Sequence, residues 1–178
     1  FDDDVLELDH KILDGATNFT TAFWFRTDDV TGQHSFLYGH SGNNELWLNL
    51  MTPTQIILRI HNEQLDWDFA ESLADGAFHH LAVVRDLEAN TAQLLLDGNA
   101  QGDPKVFGAS TTALDIAPGG LILGQDWDAF GGPGDPGQSL RGELDEFTVW
   151  NRALNADEVD AVRRGNIDAT DTDLALWL

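Results

Sequence analysis

The sequence contains no cysteine, which excludes disulfide bonds, thiolate catalysis and cysteine-type zinc sites. Basic residues are scarce as well: 9 lysines and arginines face 31 acidic residues, giving a formal net charge of −22. A field of that sign repels phosphate backbones and anionic lipid, so we expect no nucleic-acid partner. No segment approaches the ~18 uninterrupted apolar residues of a membrane helix, so we expect no membrane insertion.

The chain does have enough apolar material for a packed core. Hydrophobic residues make up 42% of its 178 positions and include 10 phenylalanines and 6 tryptophans, which excludes a disordered chain. We therefore predict a single domain over residues 1–178. The abrupt start at Phe1 and the apolar run that ends at Leu178 are typical of a module taken from a longer protein.

Short β-patterned runs dominate the sequence. The first run alternates so that Phe19, Phe23 and Phe25 share one face. Segments rich in glycine, asparagine and aspartate separate the runs, and no regular helix follows each strand. This pattern predicts an all-β, antiparallel two-sheet sandwich. The predicted strands lie at about 19–25, 34–39, 45–50, 55–61, 79–85, 91–96, 120–124 and 143–150.

One helix is predicted near 156–164. Asn155 is a suitable N-cap residue, and Glu158 stands three positions later, as in a capping box. Val159 and Val162 share the face that would contact the sheet. The segment begins with acidic residues and ends with basic ones, as the helix dipole favours.

Three acidic residues close together raise the alternative of a polysaccharide hydrolase. They are Glu143, Asp145 and Glu146. A retaining hydrolase needs two carboxylates on the same face, and alternation would place the further acid at 147 or 148. Those positions hold Phe147 and Thr148. We therefore expect no enzyme and keep the hydrolase as a remote alternative.

Two adjacent histidines, His79 and His80, raise the question of a metal site. On a strand their side chains point to opposite faces, so they cannot chelate one ion together. We expect one buried histidine bonded to a backbone carbonyl and one exposed histidine. Neither is then a metal ligand.

The long loop 125–138 carries the most informative pattern. The run from Leu123 to Gly132, followed by Asp135 and Gln138-Ser139-Leu140, resembles the calcium loop of the pentraxins. Pentraxins belong with the laminin G-like, concanavalin A-like sandwiches, so the resemblance implies a jelly roll. It continues through the hairpin 78–98, the strand 142–150, the helix segment 154–159 and a closing strand at 174–178.

The resemblance implies one or two calcium ions held by oxygen ligands. Two departures from the family pattern affect this set: Asn43 removes one negative charge, and aspartates at 126 and 135 replace longer acids. From the residues alone, an acidic surface loop without a specific ligand is the alternative. The implied ligands are Asn43, Asn44, Asp126, the main-chain carbonyl of Trp127, Asp128, Asp135 and Gln138.

In the family, oxygens of the recognised molecule complete the coordination of the calcium. The resemblance therefore implies a lectin-like module for a carbohydrate or a phosphate-bearing glycan, serving adhesion or substrate targeting outside the cell or on its surface. Asn49 stands where phosphocholine binders of the family have an apolar residue, and an amide favours sugar hydroxyls. Trp47 shares its strand face and is either a ligand-binding or a packing residue. A calcium-stabilised structural spacer is the alternative function, and homo-oligomerisation is left open.

Overall fold

The computed structural model describes residues 5–8, 11–39, 45–116, 120–126 and 135–178. The all-β prediction is confirmed, and every predicted strand is present. The strand at 63–68 and the two-residue strands are additions that the sequence patterns do not predict. In chain order, the described elements are β1 Leu6–Glu7, β2 Phe19–Arg26, β3 His34–Gly39, β4 Leu46–Thr52, β5 Gln55–Ile60, β6 Glu63–Asp68, β7 His79–Asp86, β8 Thr91–Leu96, β9 Asn99–Ala100, β10 Lys105–Val106, β11 Leu121–Leu123, β12 Glu143–Trp150, α1 Ala156–Arg163 and β13 Leu174–Trp177.

The strands form two sheets packed face to face. The six-stranded sheet has the order β1-β11-β3-β4-β5-β6, and the seven-stranded sheet has the order β10-β8-β7-β2-β12-β13 with β9 beside β8. All strand pairs are antiparallel. The predicted concanavalin A-like jelly-roll sandwich is therefore confirmed.

Aromatic rings join the two sheets at the centre of the core. Phe23, from β2 of the seven-stranded sheet, lies 5.2 Å from Phe36 of β3 in the opposite sheet. Phe23 also stacks on Phe147 of β12 at 5.1 Å. Phe19, Phe23 and Phe25 are all buried in this core, as their alternation predicts. Burial of each such ring stabilises the fold by about 1.5–3 kcal/mol.

Helix α1 packs on the outer face of the seven-stranded sheet. Its capping box forms as predicted: Glu158 N donates to Asn155 Oδ1 at 3.1 Å, and Asn155 N donates to Glu158 Oε2 at 2.7 Å. Val159 and Val162 are buried in a cluster with sheet residues. The helix ends one residue before the predicted boundary. Within the described ranges, no helix has the length and apolarity of a membrane span.

The opposite side of the sandwich carries the outer face of the six-stranded sheet. Trp47 of β4 lies between Tyr38 of β3 and Arg59 of β5. Two positions along β4, Asn49 lies between Ser35 and Ile57. The register therefore places two neighbouring rows of side chains on this face. This surface, the outer face, is formed by Ser35, Tyr38, Trp47, Asn49, Ile57, Arg59 and Ile122.

Candidate functional site

The long loop leaves the six-stranded sheet at the end of β11 and returns before β12. Its two ends are joined by backbone hydrogen bonds. Leu140 N donates to Gly124 O at 2.8 Å, and Asp135 N donates to Asp126 O at 3.3 Å. The structure therefore brings together two of the predicted ligands, Asp126 and Asp135, from opposite ends of the loop.

A tight turn at 135–138 adds the third predicted ligand. Gln138 N donates to Asp135 O at 2.9 Å, and Gly137 N donates to Asp135 Oδ1 at 2.8 Å. The turn places the carboxylate of Asp135 and the amide of Gln138 within one short segment. Asp126, Asp135 and Gln138 are thus gathered at one edge of the sheet.

The returning segment is fastened to β3. Ser35 N donates to Gln138 O at 3.0 Å, and Gln33 N donates to Gly137 O at 3.2 Å. These bonds continue the sheet ladder beyond the end of β11, so the loop lies beside the first residues of β3. Gln138 consequently lies at the end of the row that contains Ser35 and Asn49.

The oxygen atoms at this edge suit a hard cation. Asp126 is only 6% exposed, and a carboxylate at that depth is stabilised by a positive charge. The side-chain oxygens Oε1 of Gln33 and Gln138 are buried and accept no hydrogen bond in the described part of the chain. Carboxylate, amide and carbonyl oxygens are the ligands that calcium takes. The three described ligands therefore fit the predicted ion.

The other predicted ligands, Asn43, Asn44, Trp127 and Asp128, lie outside the described residues. Within the described ranges, no group of three or more histidines and acidic residues is arranged to hold a metal. The comparison between the predicted calcium ligands and the structure therefore covers Asp126, Asp135 and Gln138 only.

The two predicted ligand-binding residues are both on the outer face, but both are buried. Trp47 is 4% exposed, and its Nε1 donates to Ser35 Oγ at 3.0 Å. The guanidinium of Arg59 lies over the indole ring, with Cζ 4.8 Å from the ring centroid. Because its ring and its N–H are both engaged, Trp47 has the geometry of the packing alternative.

Asn49 is a different case. Its side chain is 0% exposed, yet neither Oδ1 nor Nδ2 has a hydrogen-bond partner among the described residues. Ser35 Oγ, across the strand, already accepts from Trp47, and the other neighbour is apolar Ile57. A buried amide without partners costs about 1–3 kcal/mol, and such groups merit a functional explanation.

Residues that the sequence patterns do not identify complete the outer face. Arg59 Nε donates to Gln64 Oε1 at 2.7 Å, and Gln64 Nε2 donates to Asp66 Oδ1 at 2.5 Å. β5 is predicted from the sequence, whereas β6 is not. The pairing that aligns Arg59 with Trp47 depends on the turn between β4 and β5, so no local pattern identifies it.

The acidic residues considered for hydrolysis have structural contacts. Glu143 forms an ion pair with Arg26, and Glu146 Oε2 accepts from Trp177 Nε1 at 3.0 Å. Glu146 has a positive φ of 51° in an irregular stretch of β12. These contacts fasten β12 to β2 and β13.

The adjacent histidines lie in unlike surroundings. His79 Nδ1 lies 2.9 Å from Asp97 Oδ2. His80 is buried, but its Nδ1 has no hydrogen-bond partner among the described residues, so the predicted carbonyl bond is wrong for that nitrogen. Burial, followed by the charge of Arg163, lowers the pKa of His80 from 6.5 to about 4, against the opposite effect of Asp97 and Asp160.

Comparison with known proteins assigns the chain to a family. The family model of the concanavalin A-like lectin/glucanases superfamily matches residues 2–160. C-reactive protein 3.3 of Limulus polyphemus is 30% identical over 152 residues, which cover 83% of this chain and 62% of that protein. Human neuronal pentraxin-2 is 31% identical over 156 residues, covering 84% of this chain and 34% of that protein. The chain thus spans less than two thirds of these relatives.

Solved structures show the same fold. A heptameric SAP-like pentraxin from Limulus polyphemus superposes with a TM-score of 0.75 at 15% identity, covering 89% of this chain and 74% of that one. A putative carbohydrate binding protein from Bacteroides ovatus gives 0.72 at 14% identity, covering 98% of this chain and 47% of that one. From the matched residues and the fold together, the chain is a pentraxin-like, laminin G-like domain and belongs to the concanavalin A-like lectin/glucanase superfamily.

Proposed function

We propose that the domain is a calcium-dependent, lectin-like module that binds a carbohydrate or a phosphate-bearing glycan outside the cell or on its surface. One observation carries the proposal: backbone hydrogen bonds gather Asp126, Asp135 and Gln138 from the two ends of the long loop. The role of the domain would be adhesion or the targeting of a larger protein to its substrate. The C-reactive proteins, neuronal pentraxins and a putative carbohydrate binding protein among its relatives support this class of function.

One or two calcium ions are proposed to bind here. Some of the proposed ligands are residues that the structure describes, and the others lie outside the described ranges. Bound calcium would supply open coordination positions that accept oxygen atoms from the recognised molecule. The chain's own residues orient those positions, because the turn at 135–138 is fixed to β3 through Ser35. The proposed set is Asn43, Asn44, Asp126, the carbonyl of Trp127, Asp128, Asp135 and Gln138.

Charge explains why a cation is needed for this function. The formal net charge of −22 opposes any approaching anion, and it also opposes the crowding of carboxylates within one loop. A divalent ion reverses the local field. The same site can then accept a hydroxyl or an anionic oxygen.

The outer face favours a carbohydrate over phosphocholine. An amide such as Asn49 can both donate to and accept from a sugar hydroxyl, but it is a poor receptor for methyl groups. We assign Asn49 the role of a ligand-binding residue. Trp47 is assigned the role of a packing residue on the same face. Because Asn49 has no exposed surface in the structure, direct contact would require a local rearrangement when the ligand binds.

Calcium titration followed by a glycan array tests the proposal. At a calcium concentration of about one hundred times its dissociation constant, stability should rise by about 2.7 kcal/mol, and a chelator should abolish both this gain and glycan binding. Asp128→Ala should remove both effects, whereas Asp103→Ala, at an exposed turn, should remove neither. A calcium gain without glycan binding would favour the structural spacer. A melting curve that calcium leaves unchanged would reject the metal site.

A further inference from the structure

Arg59 is held in place on the outer face from two sides. Its Cζ lies 4.8 Å from the centroid of the Trp47 ring, and its Nε donates to Gln64 Oε1 at 2.7 Å. The side chain remains partly exposed. A guanidinium stacked on an aromatic ring and bonded through Nε keeps its two Nη groups directed away from both contacts.

Arg59 also lacks a carboxylate partner, which is unusual in so acidic a chain. Among the described residues, no carboxylate lies within ion-pair distance of Arg59, and its Nη atoms make no hydrogen bond. Arg85 is satisfied by backbone carbonyls and Asn90. The arginines that do form ion pairs with carboxylates are Arg26, Arg141, Arg152, Arg163 and Arg164.

The position of Arg59 relates it to the candidate binding site. It lies opposite Trp47, and Asn49 is the diagonal neighbour one step along β4 on the same face. The net charge of −22 opposes an anionic ligand, so recognition of an anion on this face needs a local cation. The two Nη donors of arginine match the two oxygens of a carboxylate.

We propose that Arg59 forms an anion-binding subsite that takes the carboxylate of an acidic sugar, so that the module recognises a uronate-containing glycan. This inference rests on the proposed lectin function, which accounts for binding of the uncharged parts of the glycan. A cationic group such as a quaternary ammonium is repelled by Arg59, which further separates this face from phosphocholine recognition.

The first test compares oligogalacturonate with its methyl ester, in which a methyl group removes the charge of each carboxylate, at one buffered free calcium concentration. The wild-type chain should bind the charged probe about tenfold more tightly. Arg59→Gln should reduce that ratio to about one and leave affinity for the ester unchanged. Arg164→Gln, an equal change of charge at the residue that follows helix α1, should preserve the ratio.

A preference that survives in Arg59→Gln would overturn the assignment, as would equal wild-type affinities for the two probes. If neither probe binds, a second measurement decides. The Nε–H resonance of Arg59, identified by its loss in Arg59→Gln, should shift when methyl glucuronoside is added and stay unchanged with methyl glucoside. An unmoved resonance rejects the subsite. A shift in a chain that shows no calcium effect would retain the subsite and reject only the calcium-dependent function.

Discussion

The two outer faces of the sandwich differ in the side chains that they bury. On the seven-stranded sheet, helix α1 covers an apolar cluster that includes Trp150, Val159 and Val162. On the six-stranded sheet, the outer face combines the buried Trp47 with the unpartnered amide of Asn49. Among the described residues, buried polar atoms without a partner occur on both sides, at Trp150 Nε1 and His80 Nδ1 of the seven-stranded sheet and at both polar atoms of Asn49. On the six-stranded sheet the unpartnered group is an amide close to the partly exposed Arg59, and we propose that recognition occurs on this face.

The largest expected effect is on the helix face. Trp150→Ala removes a buried indole from beneath α1 and should lower the free energy of unfolding by about 3–5 kcal/mol. Urea denaturation measures this loss. The stabilisation by calcium should be unchanged, because the helix face has no part in the loop. A reduced calcium effect in this variant would show that the two faces are coupled.

The second effect is a loss of stability in acid that arises from His80. Its folded-state pKa of about 4 lies below the unfolded value of 6.5, so its contribution is complete above pH 6.5 and is lost as the pH falls through 4. The loss should amount to about 3 kcal/mol. Urea unfolding between pH 7 and pH 4 should show a shallower decline in His80→Leu than in the wild type. Parallel declines would assign the acid sensitivity to the carboxylates instead.

The third effect has the opposite sign and concerns the outer face. Asn49→Leu replaces a buried amide without partners by an apolar side chain of similar shape, and should raise the free energy of unfolding by about 1–2 kcal/mol while weakening glycan binding. Asn18→Leu is the control. Asn18 Oδ1 accepts from Leu87 N at 2.8 Å, so this change should destabilise the fold by about 1 kcal/mol. Destabilisation by Asn49→Leu would mean that its amide is hydrogen-bonded in solution.

The smallest effect is at Trp47. Trp47→Phe keeps an aromatic ring beneath Arg59 but removes the hydrogen bond to Ser35, which should cost about 1 kcal/mol in thermal or urea unfolding. Glycan affinity should fall by less than in Asn49→Leu. A larger fall at Trp47 would favour direct contact between the indole and the ligand.

The fold was largely predictable because its signals are local. Alternation places Phe19, Phe23 and Phe25 in the core, and the Asn155–Glu158 capping box marks the start of the helix. β6 escapes prediction because polar residues occupy most of its positions. The turn that joins β5 to β6 is His61–Asn62, with left-handed φ of 50° and 66°, and this dipeptide is not one of the usual hairpin signals.

The candidate site was predictable only in part, because the burial of a side chain and its hydrogen-bond or ion-pair partners depend on pairing across strands. The loop residues Asp126, Asp135 and Gln138 are close in sequence, and backbone hydrogen bonds join their segments, whereas their role as calcium ligands stays a prediction. The burial of Asn49 and the lone guanidinium of Arg59 depend on the registers of β3, β4 and β5. No local pattern in the sequence sets those registers.

Ser35 contacts both parts of the proposed binding site. Its backbone N–H donates a hydrogen bond to the returning segment of the loop, and its hydroxyl oxygen accepts one from the indole N–H of Trp47. One small residue therefore links the proposed metal site to the outer face. If bound calcium raises the affinity for the glycan by some factor, bound glycan raises the affinity for calcium by the same factor. Under the proposed function, a surface that carries this domain would then adhere in calcium-rich surroundings and detach where the ion becomes scarce.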